Sequence, residues 1–68
     1  MTAVLDRELL EEINNTMQYA NEEIAQNDFE LAEEYLADAA YLINKIEDEK
    51  LRNEIAGSYT INPLDYAK

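Results

Sequence analysis

Apolar residues recur at alternating spacings of three and four along the first third of the chain. This first stripe consists of Leu10, Ile13, Met17, Ala20 and Ile24. The spacing places all of its members on one face of an α-helix. We therefore predict an amphipathic helix over residues 3–26, with Arg7 as the alternative to Ala3 for its start. Asp6 or Thr2 would be its N-cap, and Leu5 would stand in a hydrophobic staple with Leu10.

A second stripe follows a polar break at Asn27 and Asp28. It consists of Phe29, Ala32, Leu36, Ala39, Ile43 and Ile46. This pattern predicts a second helix over residues 28–46. Asn27 and Asp28 are both good N-caps for it, and Asn27 with Glu30 has the spacing of a capping box. Two amphipathic helices joined by so short a turn must lie antiparallel. The predicted fold class is therefore all-α, an antiparallel helical hairpin.

The end of the second helix is marked by a change of phase. If the helix continued unbroken, the apolar residues after position 50 would project away from the stripe. We therefore predict a break between Asn44 and Asp48 and a short third helix over residues 48–56, capped by one of these two residues. Gly57 would follow it in the C′ position. The alternative is a single long helix whose last turns are exposed or contact another chain.

Residues 58–68 are predicted to form an extended, non-helical tail beside a hairpin unit over residues 1–57. Asn62 precedes Pro63, which is a turn signal and favours extended geometry. The tail carries four large apolar residues, namely Tyr59, Ile61, Leu64 and Tyr66. We expect them to fold back over the open side of the hairpin; a docking peptide for a partner is the alternative.

The length of 68 residues limits the chain to one domain, of a size that buries only about 60% of its unfolded surface. The chain contains no Cys, so no disulfide stabilises it. Oligomerisation or partner binding is the remaining source of extra stability. No apolar run reaches the roughly 20 residues of a membrane span, and the first residues do not resemble a signal peptide. We expect a cytoplasmic protein without a membrane partner.

The charge distribution is the most informative feature for function. Ten carboxylates lie between Arg7 and Lys45, a stretch that contains no basic residue: Glu8, Glu11, Glu12, Glu22, Glu23, Asp28, Glu30, Glu33, Glu34 and Asp38. Several of them face each other at helical spacing, and each like-charge pair costs about 0.2–0.5 kcal/mol. The net charge of −11 disfavours direct binding of nucleic acid and favours a basic protein surface as partner.

Tyr19 and Tyr41 fall on the acidic sides of the two helices, and tyrosine is enriched in binding hot spots. Rings lying flat along the helices, or against the tail, are the alternative interpretation. The predicted partner-binding residues are Glu8, Glu12, Tyr19, Glu22, Glu23, Glu30, Glu33, Glu34, Asp38 and Tyr41.

The sequence contains few residues that could support catalysis or bind a cofactor. It contains no His and no Cys, and it lacks a Gly-rich phosphate loop. Paired carboxylates act in acid–base catalysis only when burial separates their pKa values, and these lie in solvated rows. The spacing matches neither an EF-hand nor a Glu-x-x-His site. We therefore predict a protein that is not an enzyme, with no catalytic residue, metal or cofactor.

Two functional hypotheses remain. In the first, a small acidic helical protein binds a larger protein through its negative surface and inhibits or regulates it; nucleic-acid-binding proteins are the natural targets of such a mimic of nucleic acid. In the second, a homodimeric structural or chaperone-like hairpin binds a partner helix through its apolar stripe.

The run from Asn27 to Ala32, followed by Ala39, resembles the turn and second helix of a tetratricopeptide unit, with Ala20 and Ile24 in its first helix. The resemblance covers about 25 residues and implies hairpin geometry only. The layout is also similar to small hairpin chaperones of secretion systems and to small phage-encoded inhibitors, which is a likeness of architecture rather than of function.

Overall fold

Three helices and a short 3₁₀ helix make up the computed structural model, which describes residues 7–67. The helices are α1 (Arg7–Ala25), α2 (Phe29–Ile43) and α3 (Glu49–Gly57), and the 3₁₀ helix is Pro63–Tyr66. No strand forms within residues 7–67. The predicted all-α class is confirmed. The predicted caps Thr2 and Asp6, and the staple residue Leu5, lie outside the described residues.

The core lies between α1 and α2, which pack along most of their length as an antiparallel hairpin. The two predicted stripes meet there because their apolar residues occupy one face of each helix. The fully or almost fully buried members are Ile13, Met17, Ala20, Ala32, Leu36, Ala39 and Ile43. The predicted hairpin is confirmed.

The turn between α1 and α2 consists of three residues, Gln26, Asn27 and Asp28. Asn27 has a φ of 63°, and the backbone N–H of Asp28 donates to the carbonyl of Glu23 at 2.8 Å, as in a Schellman motif. Asp28 is then the N-cap of α2, because its carboxylate accepts from the Leu31 N–H at 3.1 Å. Of the two predicted N-caps, Asp28 is confirmed, and the capping box beginning at Asn27 is wrong. Asn27 follows the end of α1 in the left-handed conformation, which asparagine tolerates.

A break separates α2 from α3, as the change of phase predicted. Asn44 is the C-cap of α2, which ends before the predicted position 46. Asp48 is the N-cap of α3; its side chain accepts from the N–H groups of Lys50 and Leu51 at 3.0 and 3.2 Å. Ile46 lies in the connection between these helices and is nevertheless buried. The break lets the chain turn while keeping this side chain in the core.

The predicted role of Gly57 as a C′ residue is wrong. Gly57 is the last residue of α3 and does not have a positive φ, and Ser58 is the C-cap. The Ser58 hydroxyl donates to the carbonyl of Ile55 at 2.6 Å. The end of α3 is therefore capped by a side-chain hydroxyl and not, as the sequence pattern predicted, by a left-handed glycine.

The tail folds back over the hairpin, mainly onto α2, as predicted. Pro63 is buried, and Ile61 and Leu64 pack against the core. The expectation that residues 58–68 are non-helical is wrong in part, because the 3₁₀ helix forms there. Asn62 caps it by accepting from the Leu64 N–H at 2.9 Å, and proline in the first turn fits because it has no N–H to satisfy.

Candidate functional site

The outward side of α2 carries a continuous acidic surface. Glu30, Glu34 and Asp38 follow one another at intervals of four residues, so they lie on one side of the helix, and all three are exposed. Glu33 is also exposed and lies one position before Glu34. We call these four carboxylates the α2 acidic face.

Two shallow depressions run along the α2 acidic face. The first is lined by Asp28, Glu30, Leu31, Glu33 and Glu34. The second is lined by Glu34, Ala37, Asp38, Tyr41, Asn44 and the tail residue Ala67. Because Glu34 lines both, the two depressions form one surface that runs from the turn to the end of α2.

Negative charge is dense on this surface. Residues four apart in an α-helix are about 6 Å apart along the axis, so a carboxylate recurs about every helical turn. The nearest basic residue along the chain is Lys45, beyond the end of α2. Like charges at this spacing raise the free energy of the isolated helix.

Tyr41 stands at the far end of the α2 acidic face and is 67% exposed. The ammonium nitrogen of Lys45 lies 4.9 Å from the centre of its ring, within the range of a cation–π contact. One face of the ring is therefore covered by a cation, while its remaining surface is open to solvent. Tyrosine is among the residue types that are enriched in the hot spots of protein interfaces.

Tyr19 has a different environment. Its ring centre lies 5.7 Å from that of Tyr35 in α2, with the two planes tilted by 31°. This separation is typical of a stabilising aromatic pair, so Tyr19 joins the two helices. It still leaves 52% of the side chain exposed.

The predicted acidic residues of α1 do not join the α2 acidic face. Glu8, Glu12 and Glu22 are exposed on α1 and Glu23 is half-buried there, and none of the four lines either depression. Of the ten predicted partner-binding residues, the structure brings five together around the depressions. These are Glu30, Glu33, Glu34, Asp38 and Tyr41.

An apolar groove lies next to the α2 acidic face, at the end of the hairpin that contains the α1–α2 turn. It has a volume of about 230 Å³. Its lining consists of Ile24, Phe29, Ala32, Leu36, Ile61 and Tyr66, together with the carboxylate residue Glu33. We call it the Phe29 groove. Because Glu33 also lines the first depression, the groove and the acidic face share an edge.

Sequence reasoning missed the Phe29 groove. Phe29 belongs to the second stripe by spacing, which predicts a buried residue, yet it is 56% exposed. Phe29 is the first residue of α2 and lies at the end of the hairpin, next to the α1–α2 turn. Helical periodicity cannot reveal this, because it gives a direction around the axis and not the extent of the covering elements.

Within residues 7–67, few groups are candidates for a shifted pKa or for metal binding. Burial raises the pKa of the Tyr59 phenol above its usual value of about 10. No group of three or more acidic residues in that part of the chain is arranged to hold a metal ion. Nor does any helix of the described part have the length and apolar character needed to cross a membrane.

Comparison with protein-family models, with curated proteins and with solved structures finds no match.

Proposed function

We propose that this protein binds a basic surface of a larger protein through the α2 acidic face and thereby blocks or regulates it. The observation that carries the proposal is the continuous surface from Asp28 to Tyr41, on which carboxylates recur about every turn. No neighbouring Lys or Arg in α2 neutralises them. Such a surface attracts and orients a basic partner.

The cost of this surface supports a binding role. Glu30 with Glu34, and Glu34 with Asp38, are like-charge pairs that each destabilise the helix by about 0.2–0.5 kcal/mol. A chain of 68 residues has little stability to spare. A surface that only keeps the protein soluble needs charged residues, but it does not need acidic residues alone at four-residue spacing. A mixture of acidic and basic residues also makes a protein soluble.

Mimicry of nucleic acid is the more specific form of the proposal. The four carboxylates of the α2 acidic face span about 12 Å of helix axis, which is sparser than the phosphates of duplex DNA with one charge per about 1.7 Å of axis. The α2 acidic face therefore suits a short basic patch or helix of a nucleic-acid-binding protein rather than its whole binding channel. The exposed ring of Tyr41 would add an aromatic contact at one end.

A basic peptide made of Lys, Arg and Ala provides a defined probe. Its binding is measured by fluorescence anisotropy between about 0.05 and 0.5 M salt, a range over which screening of exposed charges increases strongly. We expect binding that weakens steeply with salt. Binding that is the same at both ends of this range would contradict the proposal.

Two matched variants locate the surface. The first replaces Glu30 and Glu34 by Gln and Asp38 by Asn. The control replaces Glu11, Glu12 and Glu22 by Gln, which removes the same charge from α1. We expect the first variant to lose about tenfold in affinity, from three ion pairs of about 0.2–1 kcal/mol each, and the control to retain most of it. An equal loss in both would mean that only net charge matters.

A further inference from the structure

The Phe29 groove is an apolar surface that residues 7–67 leave open to solvent. Leu36 and Ile43 are buried, whereas Phe29 is 56% and Tyr66 is 37% exposed. Large side chains therefore stand open to solvent on both the helical and the tail side of one groove. An exposed apolar site with a polar edge is typical of an interaction site.

The volume of the groove indicates the size of its occupant. At about 230 Å³ it is smaller than the roughly 300–1,000 Å³ of small-molecule and cofactor sites. It is larger than a cavity of about 150 Å³ that accommodates a benzene ring. One aromatic or branched aliphatic side chain fits this space, and a whole amphipathic helix does not.

The charge around the groove indicates what surrounds that side chain. Glu33 lines the groove itself, and Asp28 and Glu30 lie beside it in the adjoining depression. Residues next to an apolar side chain inserted here would lie close to negative charge, because Glu33 lines both the groove and the adjoining depression. Lys or Arg residues next to the inserted side chain would be attracted, and acidic residues would be repelled.

We propose that the Phe29 groove receives a single large apolar side chain from a basic segment of the partner protein, whose Lys and Arg residues contact the adjoining α2 acidic face. The inference rests on the proposed function and deepens it, because it specifies the partner as a basic segment with one apolar anchor. The carboxylates would attract the basic segment, and the groove would fix its position by holding the apolar side chain, as pockets that receive anchor residues do in other interfaces.

A second copy of this chain is a poor occupant. Each copy carries a net charge of −11. A two-fold contact through the groove would place Glu33 and its acidic neighbours close to the same residues of the other copy, because a symmetric interface uses one patch twice. Like charges in such positions oppose association.

Three synthetic peptides test the inference. The anchor peptide is a Lys/Arg/Ala helix with one central Leu, and the anchorless peptide has Ala at that position. The neutral peptide keeps the Leu and has Gln in place of every Lys and Arg. We expect the anchor peptide to bind about tenfold more tightly than the anchorless one, from burial of one Leu side chain. The neutral peptide should bind far more weakly than either.

Protein variants assign the difference to the groove. We expect Phe29→Ala to remove the preference for the anchor peptide and to leave salt-dependent binding of the anchorless peptide in place. The matched control is Leu9→Ala, which also shortens a partly exposed apolar side chain but lies outside the groove. It should keep the preference. Circular dichroism checks that each variant folds. If Phe29→Ala does not fold, the comparison of the anchor and anchorless peptides on the wild-type protein still tests the inference.

The outcomes separate the two proposals. Salt-dependent binding with equal affinity for the anchor and anchorless peptides would overturn the groove inference and leave the proposed function standing. Absence of salt-dependent binding to any basic peptide would overturn both. Tight binding of the neutral peptide would refute the requirement for a basic segment. A dimer in light scattering that Phe29→Ala converts to a monomer would assign the groove to a second copy instead.

Discussion

The hydroxyl group of Tyr59 donates a hydrogen bond to the side-chain oxygen of Asn14, and these residues are 45 positions apart in the chain. Tyr59 stands at the start of the tail and Asn14 in the middle of α1. The bond therefore links the segment after α3 to the first helix, while the following residues pack on α2. Through this pair and the packing that follows it, the tail is attached to both helices of the hairpin.

Tyr59 makes the stability of the protein sensitive to alkaline pH. Burial raises its pKa in the folded state above the value of about 10 that it has when unfolded. The folded protein then holds the phenolic proton more tightly than the unfolded chain. This contribution to stability is complete below pH 10 and is lost as the pH rises through the folded-state pKa.

Urea unfolding between pH 8 and 11 measures this effect, using the Tyr59→Phe variant as reference. At pH 8 the variant should be less stable by about 0.5–1.5 kcal/mol, the usual net contribution of one hydrogen bond. Above pH 10 the wild-type protein should lose stability more steeply than the variant. Parallel pH profiles of wild type and Tyr59→Phe would refute the role of this phenol.

Gly57 gives a test that separates the observed helix end from the predicted one. A Cβ atom added at Gly57 meets no atom within 4 Å, and its φ is not positive. Gly57→Ala should therefore stabilise the protein by about 0.4–1 kcal/mol, mainly by reducing the entropy of the unfolded chain. Gly57→Asn should stabilise less, because asparagine is the poorer helix former. A left-handed C′ residue would reverse this order in thermal unfolding.

The sequence was sufficient for those parts of the fold that depend on periodicity. The spacing of three and four located both long helices, and the loss of phase after Ile46 located the break before α3. It was insufficient where several residues compete for one local role. Asn27 and Asp28 are both good N-caps, and only the left-handed geometry at Asn27 decides between them.

The candidate site was predictable only in part, for a related reason. Charge and helical spacing identify Glu30, Glu34 and Asp38 as one row, because these residues lie within one helix. The Phe29 groove requires Ile61 and Tyr66 of the tail to lie beside α2. No local pattern specifies which part of α2 a returning segment covers.

Glu34 is the position at which stability and binding should respond in opposite directions. It lies four residues from both Glu30 and Asp38, so Glu34→Lys replaces two like-charge pairs with two attractive ones. We expect stabilisation of about 1 kcal/mol at low salt together with weaker binding of the basic probe peptide. Glu47→Lys, which changes the net charge equally at an exposed position outside the helices, should produce neither effect in full. A loss of stability in Glu34→Lys would show that these repulsions are too weak to matter.

The long separation between Asn14 and Tyr59 also has a kinetic consequence. The α1–α2 turn brings its helices together by closing a very short loop, whereas attachment of the tail must close one of 45 residues at a higher entropic cost. We expect the hairpin to assemble first and the tail to dock afterwards. Substitutions at Pro63 should then accelerate unfolding and leave the refolding rate nearly unchanged in stopped-flow experiments, while substitutions at Ala39 should slow refolding.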